Sequence, residues 1–400
     1  MGTSKSGATR REFFKQGAVA AGVAPAVLSS SNSLGQLGKS DIQVGVIGTG
    51  GRGRSELTAI AKVPNVRVAA ICDINPASVE EALKIVGDHQ PKTYTYHPDL
   101  LDQDGLDAIF VETPPHLHRE QVVDALKTGH HCSSAKPLAL TVNELMDIEE
   151  AVKSTKKILH VDQQLRYRPQ YVEAIQRIHN GEIGKVGFVR AQRYGTWGGK
   201  KRTSKYQARK FWLYRVEQSG DTIVENQIHN IDVINWIMND HPIRATGMGG
   251  QNMIEWEGNE LLDNYGLTFE YPGNRFAIFS KISYAVSELG GTFCHAYAEK
   301  AGADVSYDDA VTFYWREEGK KPTVINAKGV DGGLMNLRSV EAFFRAIKEG
   351  KQPAASIEVG KNAALTSLLG RKAIYEKRTV DWDELLKEGA PPLPPVSRFA

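Results

Sequence analysis

The run Val44-Gly45-Val46-Ile47-Gly48-Thr49-Gly50-Gly51-Arg52-Gly53 constrains this chain more than any other stretch. An apolar, strand-like segment ends in glycines at relative positions one, three and six, and a helix-like segment follows. The first glycine permits a tight turn and the second lets backbone approach a pyrophosphate. The third lets helix and strand pack closely, with the phosphate facing the helix N-terminus. Asp73 closes the next apolar run, where a carboxylate accepts from the adenosine ribose and repels a 2′-phosphate. The residues predict NAD as cofactor, while Arg52 and Arg54 leave NADP open.

Apolar runs alternate with helical stretches from Asp41 to about Gln164. "IQVGVIG", "VRVAAICD", "TYTYH", "LDAIFVET", "HHCSSAK" and "ILHVDQQ" read as strands, nearly continuous in apolar character as in a sheet covered on both faces. Pro115–Thr128 and Val142–Ser154 read as helices between them. Beyond Gln164 the pattern changes to period-two runs such as "NYGLTFEY", "RFAIFSKISY" and "AVTFYWRE", with helices expected at Tyr171–His179, Arg338–Lys348 and Val359–Tyr375. The fold class expected is α/β: an N-terminal Rossmann doubly wound parallel sheet plus a C-terminal α+β domain with a large, mostly antiparallel sheet. Domain limits of 1–38, 39–164 and 165–400 follow, the first being a leader and linker.

The leader reading rests on "TRREFFK" followed by the Ala- and Gly-rich "QGAVAAGVAPAVL". A twin arginine, a short apolar stretch and a small-residue exit make an export signal for the twin-arginine route, cleaved on the way to the periplasm. The apolar part is too short for stable membrane insertion. Residues 1–38 hold Lys5, Arg10, Arg11, Lys15 and Glu12, a net +3. Against the chain's total of +2, the remainder sits near −1, which gives no long-range attraction for nucleic acid. Three widely spaced cysteines, Cys72, Cys132 and Cys294, form neither a disulfide framework nor a zinc pattern. That suits a chain folded in a reducing compartment before export.

Four further stretches stand in a fixed order: "VETPPHLH" (residues 111–118), "HHCSSAKPLALT", "QLRYRPQY" and "VENQIHNIDVINW". Together with the glycine run they resemble the glucose–fructose oxidoreductase, inositol dehydrogenase and MocA (Gfo/Idh/MocA) family over residues 41–380. The resemblance implies that Thr113, Pro115, His118 and Lys136 join Gly48, Thr49, Gly50, Gly51, Arg52, Gly53 and Asp73 around the cofactor. It implies catalytic roles for Lys136, His229 and Glu225. A histidine with an ordinary pKa near 6.5 suits a base at neutral pH, and a lysine suits a developing alkoxide. Glu225, His229 and Asp232 are spaced for one helix face, where the two acids would orient the imidazole or bind sugar hydroxyls.

The resemblance implies that Arg166, Tyr167 and Arg168 open the second domain on the substrate side, with Asp232. The basic, aromatic "RYGTWGGKKRTSKYQARKFWLYR" bearing Trp197 and Trp212 reads as a loop over the substrate pocket or as a surface or subunit-contact loop. The histidines His116, His118, His130 and His131 suit cofactor contact or packing, and no catalytic metal is expected. Two residues depart from the family pattern: Ala135 stands where Glu is usual before the lysine, and Glu225 where Asp is common.

An exported nicotinamide enzyme has no free cofactor pool, so its cofactor must travel with it and be restored at each turnover. The chain is therefore expected to be an NAD(P)-dependent oxidoreductase of a sugar hydroxyl with tightly held cofactor. A redox-neutral glycosidase working through a keto-sugar is the alternative, and a non-catalytic NAD-containing sugar binder the second. The partner expected is a carbohydrate. A one-sided second sheet predicts a homodimer or homotetramer.

Overall fold

The computed structural model describes residues 42–195, 211–253, 258–283, 288–307, 310–326 and 332–388. The leader reading and Trp197 lie outside them. The first part alternates without a break. Its elements are β1 (Ile42–Ile47), α1 (Gly51–Ile60), β2 (Val66–Cys72), α2 (Pro76–Val86), β3 (Lys92–Tyr94), α3 (His97–Leu101), β4 (Ala108–Val111), α4 (His118–Lys127), β5 (His131–Ser134), α5 (Val142–Thr155) and β6 (Leu159–Val161). The six strands are ordered β3-β2-β1-β4-β5-β6 and pair in parallel.

Val44, Val46, Val68 and Phe110 fill the core on one face, and Ile47, Ile109 and Val111 the core on the other. Double-sided burial explains the near-continuous apolar strands. Helix α5 starts on a reciprocal cap: Thr141 Oγ1 accepts from the Glu144 N–H (3.2 Å), and Glu144 Oε2 accepts from the Thr141 N–H (3.0 Å). The chain order of the strands reverses between β1 and β4, which opens a crevice at their carboxyl ends.

The second part begins with α6 (Pro169–His179), β7 (Val186–Gly195), α7 (Val216–Ser219), α8 (Thr222–Glu225) and α9 (Ile228–Met238). It continues through β8 (Arg244–Gly250), β9 (Asn264–Tyr271), β10 (Arg275–Ser283), β11 (Gly291–Ala298), β12 (Ala301–Asp304), β13 (Ala310–Trp315) and β14 (Thr323–Asn326). Helices α10 (Gly332–Glu349) and α11 (Ile357–Glu376), strand β15 (Val380–Asp381) and helix α12 (Trp382–Glu388) end the described chain. The nine strands run β14-β13-β12-β11-β7-β10-β9-β8-β15, antiparallel except for β7 beside β10.

One face of this sheet buries Val189, Ala191, Leu267, Phe269, Ala277 and Phe279. The other shows an aromatic row: Phe276 pairs with Phe188, and Phe188 with Tyr297, at ring separations of 4.6 and 5.5 Å. The alternation anticipated this two-sided character. Strands β8, β11 and β12 escaped the sequence reading, because "RATGMGG" and "GTFCHAYA" are rich in Gly and Ala, which carry little strand signal.

Sequence position misleads over α10. This helix lies far beyond residue 164, yet it packs on α1 in the nucleotide half. Phe343 and Phe344 stand 5.4 and 5.9 Å from the Phe110 ring, and Asn336 Nδ2 donates to Ser55 Oγ (2.7 Å). Helix α11 is buried along its length between the two sheets. Glycines let it lie close: a Cβ at Gly360 would meet Val161 at 2.6 Å, and one at Gly370 would meet Ile223 and Leu267 at 3.0 Å.

Candidate active site

The glycine turn has the expected form. Gly48 has φ +90°, and a Cβ there would stand 2.8 Å from the Glu112 backbone. A Cβ at Gly53 would stand 2.0 Å from the Gly48 carbonyl oxygen, so helix and strand are in backbone contact. Around Gly50 and Gly51 a Cβ would meet nothing within 4 Å, and α1 begins without a side-chain cap. Open space above uncapped N–H groups is what a pyrophosphate needs.

Thr49 is sealed, and its N–H and hydroxyl both donate to Asp73 Oδ2 (2.7 and 3.1 Å). Asp73 Oδ1 accepts from the Asn75 N–H at 2.8 Å. The carboxylate is thus oriented by backbone donors with lone pairs left for a ribose. Ile74, 80% exposed beside it, offers an apolar surface at the adenosine end that the sequence reading did not single out. These residues fit a dinucleotide.

Arg52 corrects an expectation. Its guanidinium turns away from the loop surface and is paired with Glu56 and with Asp162 Oδ2 (2.5 Å), with Glu112 Oε2 at 3.9 Å and Asn336 Oδ1 at 3.2 Å. Burial opposes its charge, but Asp162, Glu56 and Glu112 outweigh that and hold it firmly protonated. Burial also raises the carboxyl of Glu56 to about 8, against the pull of Arg52, and that of Glu112 well above the carboxylate range. Arg54 donates to the Thr49 carbonyl and pairs with Glu81 (2.9 Å). Neither arginine is free for a 2′-phosphate, which strengthens the case for NAD. Glu56, Glu112 and Asp162 went unnoticed because they come together only at the strand ends.

The nicotinamide-side residues gather at the ends of β4 and β5. Thr113 Oγ1 donates to Gln121 Oε1 (2.6 Å), and Pro115 is buried. His118 was expected at the cofactor, yet it is fully buried, with Nδ1 2.7 Å from the Pro137 carbonyl and Nε2 2.8 Å from that of Thr113. Burial pushes its pKa down to about 4, while those carbonyls pull upward. It ties the β4 loop to the segment bearing Lys136 rather than touching a ligand.

Lys136 meets the second domain. Its Nζ donates to Glu225 Oε1 at 2.9 Å and to the Glu225 carbonyl. His229, at the start of α9, is partly exposed, but its Nδ1 is buried and has no hydrogen-bond partner. Burial, then the charges of Lys136, Arg193 and Arg52, lower its pKa well below the usual histidine range. The imidazole is therefore neutral and able to accept a proton, though a weaker base than an unperturbed histidine.

The single-helix-face reading fails. Asn226 and Gln227 break the helix between Glu225 and His229, so Glu225 ends α8 and His229 begins α9. Neither acid orients the imidazole. Asp232 is 1% exposed and accepts from Arg166 Nε (2.9 Å) and Nη2 (2.8 Å). This ion pair fastens α9 to the domain entrance. Tyr167 packs on His160 (5.7 Å between rings), and its hydroxyl accepts from the Ala355 N–H. Trp212 packs on a small cluster of Leu213, Tyr214, Val216 and Leu261. Arg168 is buried over the Tyr171 ring at 5.2 Å, with Nη1 unpartnered.

Comparison with known proteins agrees with this architecture. Residues 42–163 match the oxidoreductase family, NAD-binding Rossmann fold, and residues 171–303 match the GFO/IDH/MocA C-terminal domain. An inositol 2-dehydrogenase/D-chiro-inositol 3-dehydrogenase of Lactiplantibacillus plantarum is 31% identical over 50% of this chain and 53% of its own length. An alpha-N-acetylgalactosaminidase of Shewanella oneidensis is 29% identical over 44% of each. The chain spans about half the length of the curated relatives it matches. Among solved structures, a levoglucosan dehydrogenase in complex with NADH and levoglucosan superposes with a TM-score of 0.75 at 19% identity, over 85% of this chain and 99% of that one. The chain belongs to the Gfo/Idh/MocA oxidoreductase family, and its residues 42–163 are that family's NAD-binding Rossmann fold.

Proposed function

We propose that this protein oxidises a hydroxyl carbon of a sugar or sugar derivative to the carbonyl, using NAD that stays bound and is restored by passing its hydride to a second carbonyl compound. The observation that carries this reading is the meeting of Lys136, from the cofactor domain, with Glu225 of the second, whose neutral His229 begins the next helix and feels the lysine's charge. NAD, when bound, supplies the hydride acceptor. His229 takes the hydroxyl proton, and Lys136 stabilises the oxyanion as it develops. The cations that weaken His229 as a base also stabilise that oxyanion.

The glycosidase among the relatives favours a second reading. The same groups would oxidise a hydroxyl, remove the neighbouring acidic proton, expel the glycosidic substituent as the alcohol, add water to the unsaturated ketone that remains and reverse the oxidation. The twin-arginine stretch and the absence of a free cofactor pool outside the cytoplasm support export of the loaded protein to the periplasm. No described helix is long and apolar enough to cross a membrane. One experiment tests these points together: recover the protein from the periplasm, identify nucleotide released on denaturation, and follow reduced-nicotinamide absorbance as sugars and aryl glycosides are added. NAD release and a sugar-dependent band are expected. Empty protein that stays inert with added NAD would overturn the proposal.

A homo-oligomer joined through the outer sheet face is part of this reading. Phe276, Ile278 and Tyr297 are exposed there in adjacent rows, an apolar patch that association would cover. Ile278→Arg is expected to shift the sedimentation coefficient to that of the single chain. A native protein that already sediments as a monomer would refute it.

A further inference from the structure

Resting on the sugar reading above, we propose that the substrate carries a carboxylate and that Arg193 and Arg168 hold it beside Tyr307. Arg193 shares the inward face of β7 with Val189 and Ala191. Lys281 is its direct neighbour on β10, and Tyr265 is the next residue in that row on β9. Two cationic side chains thus stand side by side on the covered face of a sheet, and like charges directly opposite repel.

Lys281 is 3% exposed, and its Nζ donates to the carbonyls of Leu262 (3.1 Å) and Asp263 (3.3 Å). Burial pushes its pKa down to about 8 against the pull of Asp221 and Asp263, with Arg193 pushing the same way as burial. Arg193 has no ion pair among the described residues, and its guanidinium lies 5.9 Å from the Tyr307 ring. Arg168 lies 5.2 Å from the Tyr171 ring, whose hydroxyl donates to the carbonyl of Ser306 next to Tyr307. Arg168 is 9% exposed, has Nη1 unpartnered, and also lacks a carboxylate partner among the described residues. Both guanidinium charges act on the Tyr307 phenol, whose hydroxyl is buried without a hydrogen-bond partner.

Among the described residues, Asp232 is paired with Arg166 and Glu225 with Lys136. A buried guanidinium without a counter-ion is costly, and a carboxylate is the group its fork of donors matches. The charge of Arg193 also helps to lower the pKa of His229. A uronic or aldonic acid, or a glycoside of one, meets both requirements.

The test uses the protein with its bound nucleotide. Glucuronate, galacturonate and gluconate are compared with glucose, galactose and myo-inositol by calorimetric binding and by reduced-nicotinamide absorbance. The acids are expected to bind at least about tenfold more tightly, the value of one charge-assisted hydrogen bond. Arg193→Met and Arg168→Met should each collapse that preference, and Arg193→Lys should restore part of it and serve if the Met variant does not fold. Equal use of neutral sugars, or a preference unchanged in folded variants, would overturn the inference while leaving the oxidoreductase reading standing. No response to either class of sugar would overturn both.

Discussion

Replacing Lys136 by Met is expected to lower turnover by about 10³-fold while the protein keeps its nucleotide and fold. The lysine side chain is 15% exposed and spans the two halves of the molecule, with Glu225 as its partner. Methionine preserves length and apolar bulk but removes the cation that faces the developing oxyanion. It also leaves the Glu225 carboxylate without its counter-ion at the place where negative charge must appear, so the barrier rises twice over. The measurement is single-turnover absorbance of the nicotinamide, with nucleotide content and Tm determined on the same preparation. Turnover within tenfold of the unaltered protein would remove Lys136 from the chemistry.

The second large effect is expected from Gly53→Ala. A methyl group there would meet the Gly48 carbonyl oxygen at 2.0 Å, and both atoms belong to backbone that other contacts hold in place. Relief requires α1 to move away from β1, which costs at least about 3 kcal/mol and misdirects the helix N-terminus. Protein purified with this change should be nucleotide-free and melt at a lower temperature. Gly51→Ala provides the contrast, because its Cβ would meet nothing within 4 Å. Compared with nucleotide-free protein, that variant should keep its Tm and lose only nucleotide affinity. Equal melting temperatures for the two variants would contradict the contact described.

The nucleotide half was readable because its signals are local. Six short apolar strands, a glycine turn and Asp73 lie within one stretch of chain, and each carries its meaning through neighbours in sequence. The site was readable as a set of residues but not as a set of partnerships. Spacing placed Glu225, His229 and Asp232 on one helix, and a two-residue break at Asn226 and Gln227 separates them. Asp232 reads as a free acid until Arg166, 66 residues earlier in the chain, occupies it. His118 carries a family position, yet only folding shows both ring nitrogens directed at backbone carbonyls. The Arg52 cluster is the extreme case, since Glu56, Glu112 and Asp162 come from three separate elements and share no sequence pattern.

The return of α10 to the nucleotide half bears on the order of biosynthesis. Arg52 is anchored in part by Asn336, and Phe110 is enclosed by Phe343 and Phe344, so the first half lacks a wall until more than four-fifths of the chain has been made. At roughly 5–20 residues per second, a ribosome reaches that helix many seconds after the glycine turn emerges. The outer wall of the nucleotide domain is thus closed by a helix that the ribosome delivers late.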